Sequence, residues 1–147
     1  MKIRKGTLFL GVAALVLLWI GMRETPREHA IGVFAQDREI LRQLAWQVLG
    51  EGSAEGIPVP EGWQSVSLWT QGHTVVQFAL KGSGFASQTA YRGINYVPED
   101  ILVDFQGEHW DYWKPKGTGR LYYDPEGDNT CYVERIAPCW YYYEAEF

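Results

Sequence analysis

The segment Glu108-His109-Trp110-Asp111 sets a histidine among acids. Two carboxylates roughly 5–10 Å apart in a cleft could hydrolyse a glycosidic bond. A chain with 18 Asp and Glu offers such pairs by chance, so the segment alone specifies no reaction. No G-x-S-x-G motif accompanies His73 or His109, and a Ser/His/Asp site has no signature. Asp124-Pro125-Glu126-Gly127-Asp128-Asn129 places acids at positions 1, 3 and 5, as a calcium loop does. An EF-hand loop also needs Gly at position 6 and Glu at position 12, where this chain has Asn129 and Arg135. A tight Asp-Pro-Glu-Gly turn between strands accounts for the segment without metal. Lys81-Gly82-Ser83-Gly84 lacks the spacing of a phosphate-binding loop. These motifs imply no cofactor, no metal and no catalytic residue.

Cys131 and Cys139 are the only cysteines. An even count in an exported domain suggests a disulfide. A hairpin centred on Arg135 would set the two opposite each other on one face, at bridging distance. The alternative is two thiols. A metal site would need two further ligands, and no histidine is near in sequence.

Aromatics are the densest chemical feature: 14 of the 57 residues from Tyr91 to Phe147. Read as a strand, residues 140–147 put Tyr141, Tyr143, Ala145 and Phe147 on one face with Cys139. Trp140 and Tyr142 share the other with Glu144 and Glu146. The first face, joined by Val133, is the expected core. Trp140, Tyr142 and Tyr132 then either receive a cover or, with Trp110 and Trp113, form a surface platform. Such rings beside carboxylates suit sugar faces and hydroxyls, or a protein interface. They also serve as ordinary cross-strand packing.

The elements that hold these residues follow from periodicity. Residues 31–49 read as a helix with Ile40, Leu41, Leu44, Ala45 and Val48 on one stripe and Gly50 as its stop. Residues 50–62 carry four Gly and two Pro and form a connector. Beyond them the period becomes two. Residues 64–70 and 74–80 form a hairpin. A loop of Gln71-Gly72-His73 sets Val66 opposite Phe78 and Leu68 opposite Val76. Further short strands are expected at 91–97, 101–105, 108–113, 120–123, 130–133 and 140–147, separated by Gly, Pro or Asp. The class is α+β: one amphipathic helix packed on an antiparallel meander of about five to seven short strands.

Charge and hydropathy divide the chain. Residues 6–22 carry no charge, and residues 31–147 carry 8 Lys+Arg against 16 Asp+Glu. The acidic domain excludes nucleic acid as a partner, because phosphate neutralisation needs clustered positive charge. The 17 apolar residues would span roughly 25 Å as a helix, at the short end for a bilayer core of about 30 Å. Glu28 occupies the place where a cleavage site ending at Ala30 needs a small residue. The expected organisation is a cytoplasmic basic tip at 1–5 and an uncleaved transmembrane signal-anchor at 6–22. A juxtamembrane spacer follows at 23–30, then an extracytoplasmic domain at 31–147. Secretion after cleavage is the alternative. Lys2, Arg4 and Lys5 keep the N-terminus inside.

Two stretches carry a resemblance. They are Gly93-Ile94-Asn95-Tyr96-Val97-Pro98-Glu99-Asp100 and the end, from Glu126-Gly127-Asp128-Asn129 through Arg135-Ile136 to Trp140-Tyr141-Tyr142-Tyr143-Glu144-Ala145-Glu146-Phe147. They resemble a group of small, uncharacterised bacterial membrane-anchored or secreted proteins. That resemblance implies a hydrophobic N-terminal segment before a compact domain ending in an aromatic strand. It implies no activity, and the two cysteines depart from the group's pattern. The functional expectation is a binding or interaction module of the cell envelope, with a glycan or protein as ligand. The alternatives are a small accessory subunit of a membrane complex, and an envelope hydrolase using acids such as Glu108 and Asp111.

Overall fold

A computed structural model describes residues 24–82, 90–104, 106–108 and 110–147. The proposed anchor at 6–22 lies outside them, as do Phe105 and His109. Among the described residues, no helix is long and apolar enough to cross a membrane.

Helix α1 spans Pro26–Glu51. It begins five residues before the expected start, inside the stretch read as a spacer. The cause is local: Thr25-Pro26-Arg27-Glu28 is a capping box with Pro at the first helical position. The Glu28 backbone N–H donates to Thr25 Oγ1 at 3.2 Å, and the Thr25 backbone N–H donates to Glu28 Oε2 at 2.8 Å. At the other end Gly52, at φ 66°, supplies the left-handed cap, two residues beyond Gly50. The buried stripe is Ala30, Phe34, Leu41, Ala45 and Val48. Leu44 packs at its border, while Ile40 is half-exposed.

Seven strands follow: β1 Trp63–Trp69, β2 Val75–Leu80, β3 Ala90–Tyr96, β4 Trp113–Lys116, β5 Gly119–Tyr123, β6 Thr130–Ala137 and β7 Trp140–Glu146. Val66 opposes Phe78 and Leu68 opposes Val76, as the two-residue period predicts. All pairings are antiparallel, in the order β1-β2-β3-β7-β6-β5-β4. The sheet is therefore two meanders joined by β3 and β7, rather than one continuous meander.

Residues 97–112 make the crossover from β3 to the far edge. Of the strands expected at 101–105 and 108–113, only Trp113, which opens β4, is in a strand among the described residues. Asp100 adopts φ 51° and Gly107 φ 79°. The Asp104 carboxylate takes the Gln106 and Glu108 N–H groups at 2.9 and 2.7 Å, so these donors go to a side chain and not to a ladder. Gly107 also lies against the β1–β2 loop, where His73 N–H donates to its carbonyl at 2.8 Å. A Cβ at Gly107 would meet the His73 carbonyl oxygen at 2.2 Å.

Both sheet faces are thereby covered near the middle. On one face α1 packs Phe34, Leu41 and Val48 with Trp63, Phe78, Ile94, Trp140 and Tyr142. On the other the crossover lays Val97 and Val103 over Val75, Tyr122, Cys131, Val133, Tyr141 and Tyr143. The face division expected for residues 140–145 holds, and both faces are core.

The expected disulfide is corrected. Cys131 opposes Ala145, and the β6–β7 turn is centred on Pro138-Cys139, with Ala137 opposite Trp140. The register shifts between Arg135 and Ala137, and Cys139 adopts φ 65°. Arg135 is a strand residue bound to Asp100, so the turn does not form there. The intervening strand separates the two cysteines by on the order of 20 Å, far beyond bridging distance. They form no disulfide with each other. In non-reducing denaturant, both cysteines of the purified monomer should react with a thiol reagent. In the folded protein Cys139, partly exposed at the turn, should react before buried Cys131. A monomer inert to the reagent until reduced would contradict this register.

Candidate functional site

The sheet edge formed by β4 and β5 extends beyond the helix. All four residues of β4 are exposed, and Tyr123 closes β5. The chain enters β4 through Asp111 and Tyr112. The Tyr123 backbone N–H donates to the Tyr112 carbonyl at 3.1 Å, which holds the two tyrosines side by side. Their ring centroids are 6.1 Å apart.

The β5–β6 turn supplies the opposite wall. The Asp124 N–H donates to the Asn129 carbonyl at 3.1 Å, and the Glu126 N–H donates to Asp124 Oδ1 at 2.9 Å. This Asx-type turn needs no metal to close it. The sequence reading compared the same acids with a calcium loop and preferred a turn without metal. Among the described residues, no three or more His, Cys, Asp or Glu side chains converge as metal ligands would. Between the walls lies a shallow cleft of about 370 Å³, lined by Tyr112, Tyr123, Trp110, Asp111, Asp124, Glu126 and Asn129 with Pro125. It combines exposed ring faces with carboxylates and an amide, and is open to solvent.

The five aromatics singled out from sequence do not come together as one platform. Trp140 and Tyr142 are buried against α1. Tyr132 lies on that same sheet face, its ring 6.3 Å from Tyr142. Trp110 and Trp113 belong to the opposite face. Trp110 packs edge-on against Tyr122 at 6.4 Å. Trp113, opposite Tyr122 in the ladder, is half-exposed with the Arg120 guanidinium stacked 3.8 Å from its ring centre. Of the five, Trp110 alone lines the cleft. Tyr112 and Tyr123 were missed because the cleft is assembled by β4–β5 pairing, which the expected strands at 108–113 and 120–123 did not register. Glu108 and Asp111, the hydrolase candidates, are both exposed.

A second concavity, of about 500 Å³, lies where α1 meets the β6–β7 turn. It is lined by Arg38, Glu39, Arg42, Tyr96, Pro138 and Cys139. Burial pushes the Cys139 thiol up from its ordinary value, which disfavours the thiolate needed for nucleophilic chemistry.

Three carboxylates organise the surroundings. Asp100 accepts from Arg135 through both oxygens, at 3.0 and 2.5 Å, and from the Cys139 N–H and Tyr141 hydroxyl at 2.7 and 3.0 Å. Arg135 above all holds its carboxyl far below the usual range. Asp104 runs the other way. Burial pushes its carboxyl up, against the pull of its two backbone donors. Glu134 is almost fully buried and accepts two hydrogen bonds from Arg27 at 2.6 Å, one from Thr118 at 2.5 Å and one from Tyr132 at 3.2 Å. It ties the first turn of α1 and the β4–β5 turn to β6. Arg27, read from sequence as a charge flanking the anchor, is its principal partner.

No protein-family model, curated protein or solved structure matches the chain.

The Arg27 guanidinium lowers the Glu134 carboxyl below its ordinary 4.5. The resulting stabilisation is complete above that unfolded-state value and is lost as pH falls through the lower folded value. Arg27→Ala should therefore cost about 1–3 kcal/mol at neutral pH, since Arg27 itself is half-exposed. It should also flatten the loss of stability between roughly pH 5 and 3. Urea titrations of both proteins across that range test this; parallel pH profiles would refute it.

Proposed function

We propose that the protein is a membrane-anchored extracytoplasmic binding module, and that the Tyr112–Tyr123 cleft is its carbohydrate-binding surface. One observation carries the reading. Two adjacent tyrosine rings, one of them half-exposed, lie beside Asp111, Asp124, Glu126 and Asn129 in one cleft. The C–H face of a sugar ring is apolar and stacks on an aromatic face, while its hydroxyls donate to carboxylates and amides. The cleft is open and shallow, which suits a chain of sugars lying along the surface better than a small molecule enclosed in a pocket.

Placement outside the membrane rests on the apolar stretch at 6–22 and the preceding Lys2, Arg4 and Lys5. A hydrolytic role for Glu108 and Asp111 draws less support, because both are exposed and only Asp111 lines the cleft.

A glycan array probed with the full chain in detergent should retain it on a defined class of oligosaccharide. Tyr112→Ala, at a half-exposed residue, should weaken that retention at least about tenfold while leaving the thermal midpoint nearly unchanged. Retention that survives Tyr112→Ala, or an array that retains nothing, would refute the cleft as a sugar site.

A further inference from the structure

We propose that the β4–β5 turn is a membrane-contact surface that receives the phosphate headgroups of anionic lipids. The inference rests on the reading of residues 6–22 as an anchor, and adds a second contact between domain and bilayer.

The first observation is an uneven placement of charge. Residues 31–147 hold 8 basic residues against 16 acidic ones, yet Lys114, Lys116 and Arg120 fall within seven residues. The other arginines near the sheet are committed: Arg27 to Glu134, Arg92 to Glu144 and Arg135 to Asp100. Among the described residues, no ion pair within 4 Å involves Lys114, Lys116 or Arg120, although Lys116 is near enough to Glu144 to help lower its carboxyl. Lys114 and Lys116 lie on rings of the helix-covered face, 5.5 Å from Tyr123 and 5.7 Å from Tyr132, and Arg120 lies at the same edge on the opposite face, 3.8 Å from Trp113. A cation held on a ring keeps its N–H donors available to an anion.

The second observation is where the chain leaves the domain. Thr118, in the β4–β5 turn, donates to Glu134 Oε1, the same oxygen that receives Arg27 Nη2. The turn is thus fixed beside the first turn of α1. Arg27 is five residues beyond the end of the apolar stretch, and five residues reach at most about 18 Å. An anchor at 6–22 therefore brings the turn within reach of the headgroup layer, itself roughly 5–8 Å deep on each side of the hydrocarbon core.

The acids on this side are engaged. Glu28 closes the helix cap, Glu24 lies 3.5 Å from His29, and Glu144 accepts from Arg92 and Tyr142. The remaining negative charge of the domain repels an anionic surface, so a basic turn at the point of attachment would fix which side faces the bilayer. The acidic wall of the cleft, at Asp124–Glu126, adjoins Lys114 through Tyr123 and lies at the opposite end of β5 from Lys116 and the turn.

The test uses the full chain in nanodiscs of phosphatidylcholine alone or with about one lipid in three replaced by phosphatidylglycerol. Hydrogen exchange of the amides at 114–120 should slow at least about fivefold in the anionic discs. Lys114→Glu/Lys116→Glu should abolish the slowing. Arg38→Glu/Lys81→Glu, an equal change of charge elsewhere, should keep it. Equal exchange in both discs, or equal loss in both variants, would overturn the proposal. Alkaline carbonate extraction of cell membranes separates the two failures. Release of the chain overturns the anchor reading and this proposal together. Retention without the exchange difference overturns the lipid contact alone.

Discussion

Strand β7 imposes the constraint from which the rest follows. Trp140, Tyr141, Tyr142 and Tyr143 are four consecutive large aromatics, and each is at most 2% exposed. Consecutive strand residues point to opposite faces, so burying all four requires cover on both sides of the sheet. Helix α1 supplies one cover and the 97–112 crossover the other. The strand then has to be central, paired with β3 on one side and β6 on the other. The low dielectric there is visible in the phenols. Burial is the main cause that raises Tyr141, to about 12, and it raises Tyr142 and Tyr143 further.

The covers are fixed by carboxylates, each chosen by geometry. Asp100 binds the crossover to the β6–β7 turn, Asp104 shapes its middle, and Glu134 binds the start of the helix. Covering the centre in this way leaves β4 exposed at the sheet edge, while β5 is held under the crossover only by Tyr122. The aromatics of the chain therefore divide in two. Those of β7 are structural. Those at the edge, Tyr112, Trp113 and Tyr123, stay partly exposed, with Lys116 near the β4–β5 turn at one end of β5 and Asp124 and Glu126 at the other.

How much of this can be read from the residues depends on whether the determinant is local. The β1–β2 register was legible because alternation permits one pairing that buries Val66, Leu68, Val76 and Phe78 together. The two faces of β7 were legible for the same reason. The helix start was present as Thr25-Pro26-Arg27-Glu28 but was outweighed by the polar composition of residues 23–30, whose Arg27 finds its partner 107 residues away. The crossover resisted reading because Asp100 meets Arg135 across 35 residues and looks, in sequence, like any turn acid. The cysteine pairing failed because a turn at Pro138-Cys139 displaced the one centred on Arg135. The cleft was illegible as a unit, since Tyr112 and Tyr123 become neighbours only once β4 and β5 pair.

Native-state hydrogen exchange tests the two-sided burial of β7 most directly. Amides in the central strands should exchange only through global unfolding, while those of an uncovered edge open locally. The account predicts that Tyr141–Tyr143 and their β3 partners Gly93–Asn95 are the slowest amides, and that Trp113, Lys114 and Lys116 exchange orders of magnitude faster. If the amides of β7 exchanged as fast as those of β4, the central strand would not be covered on both faces, and the separation of buried from exposed edge aromatics would fall with it.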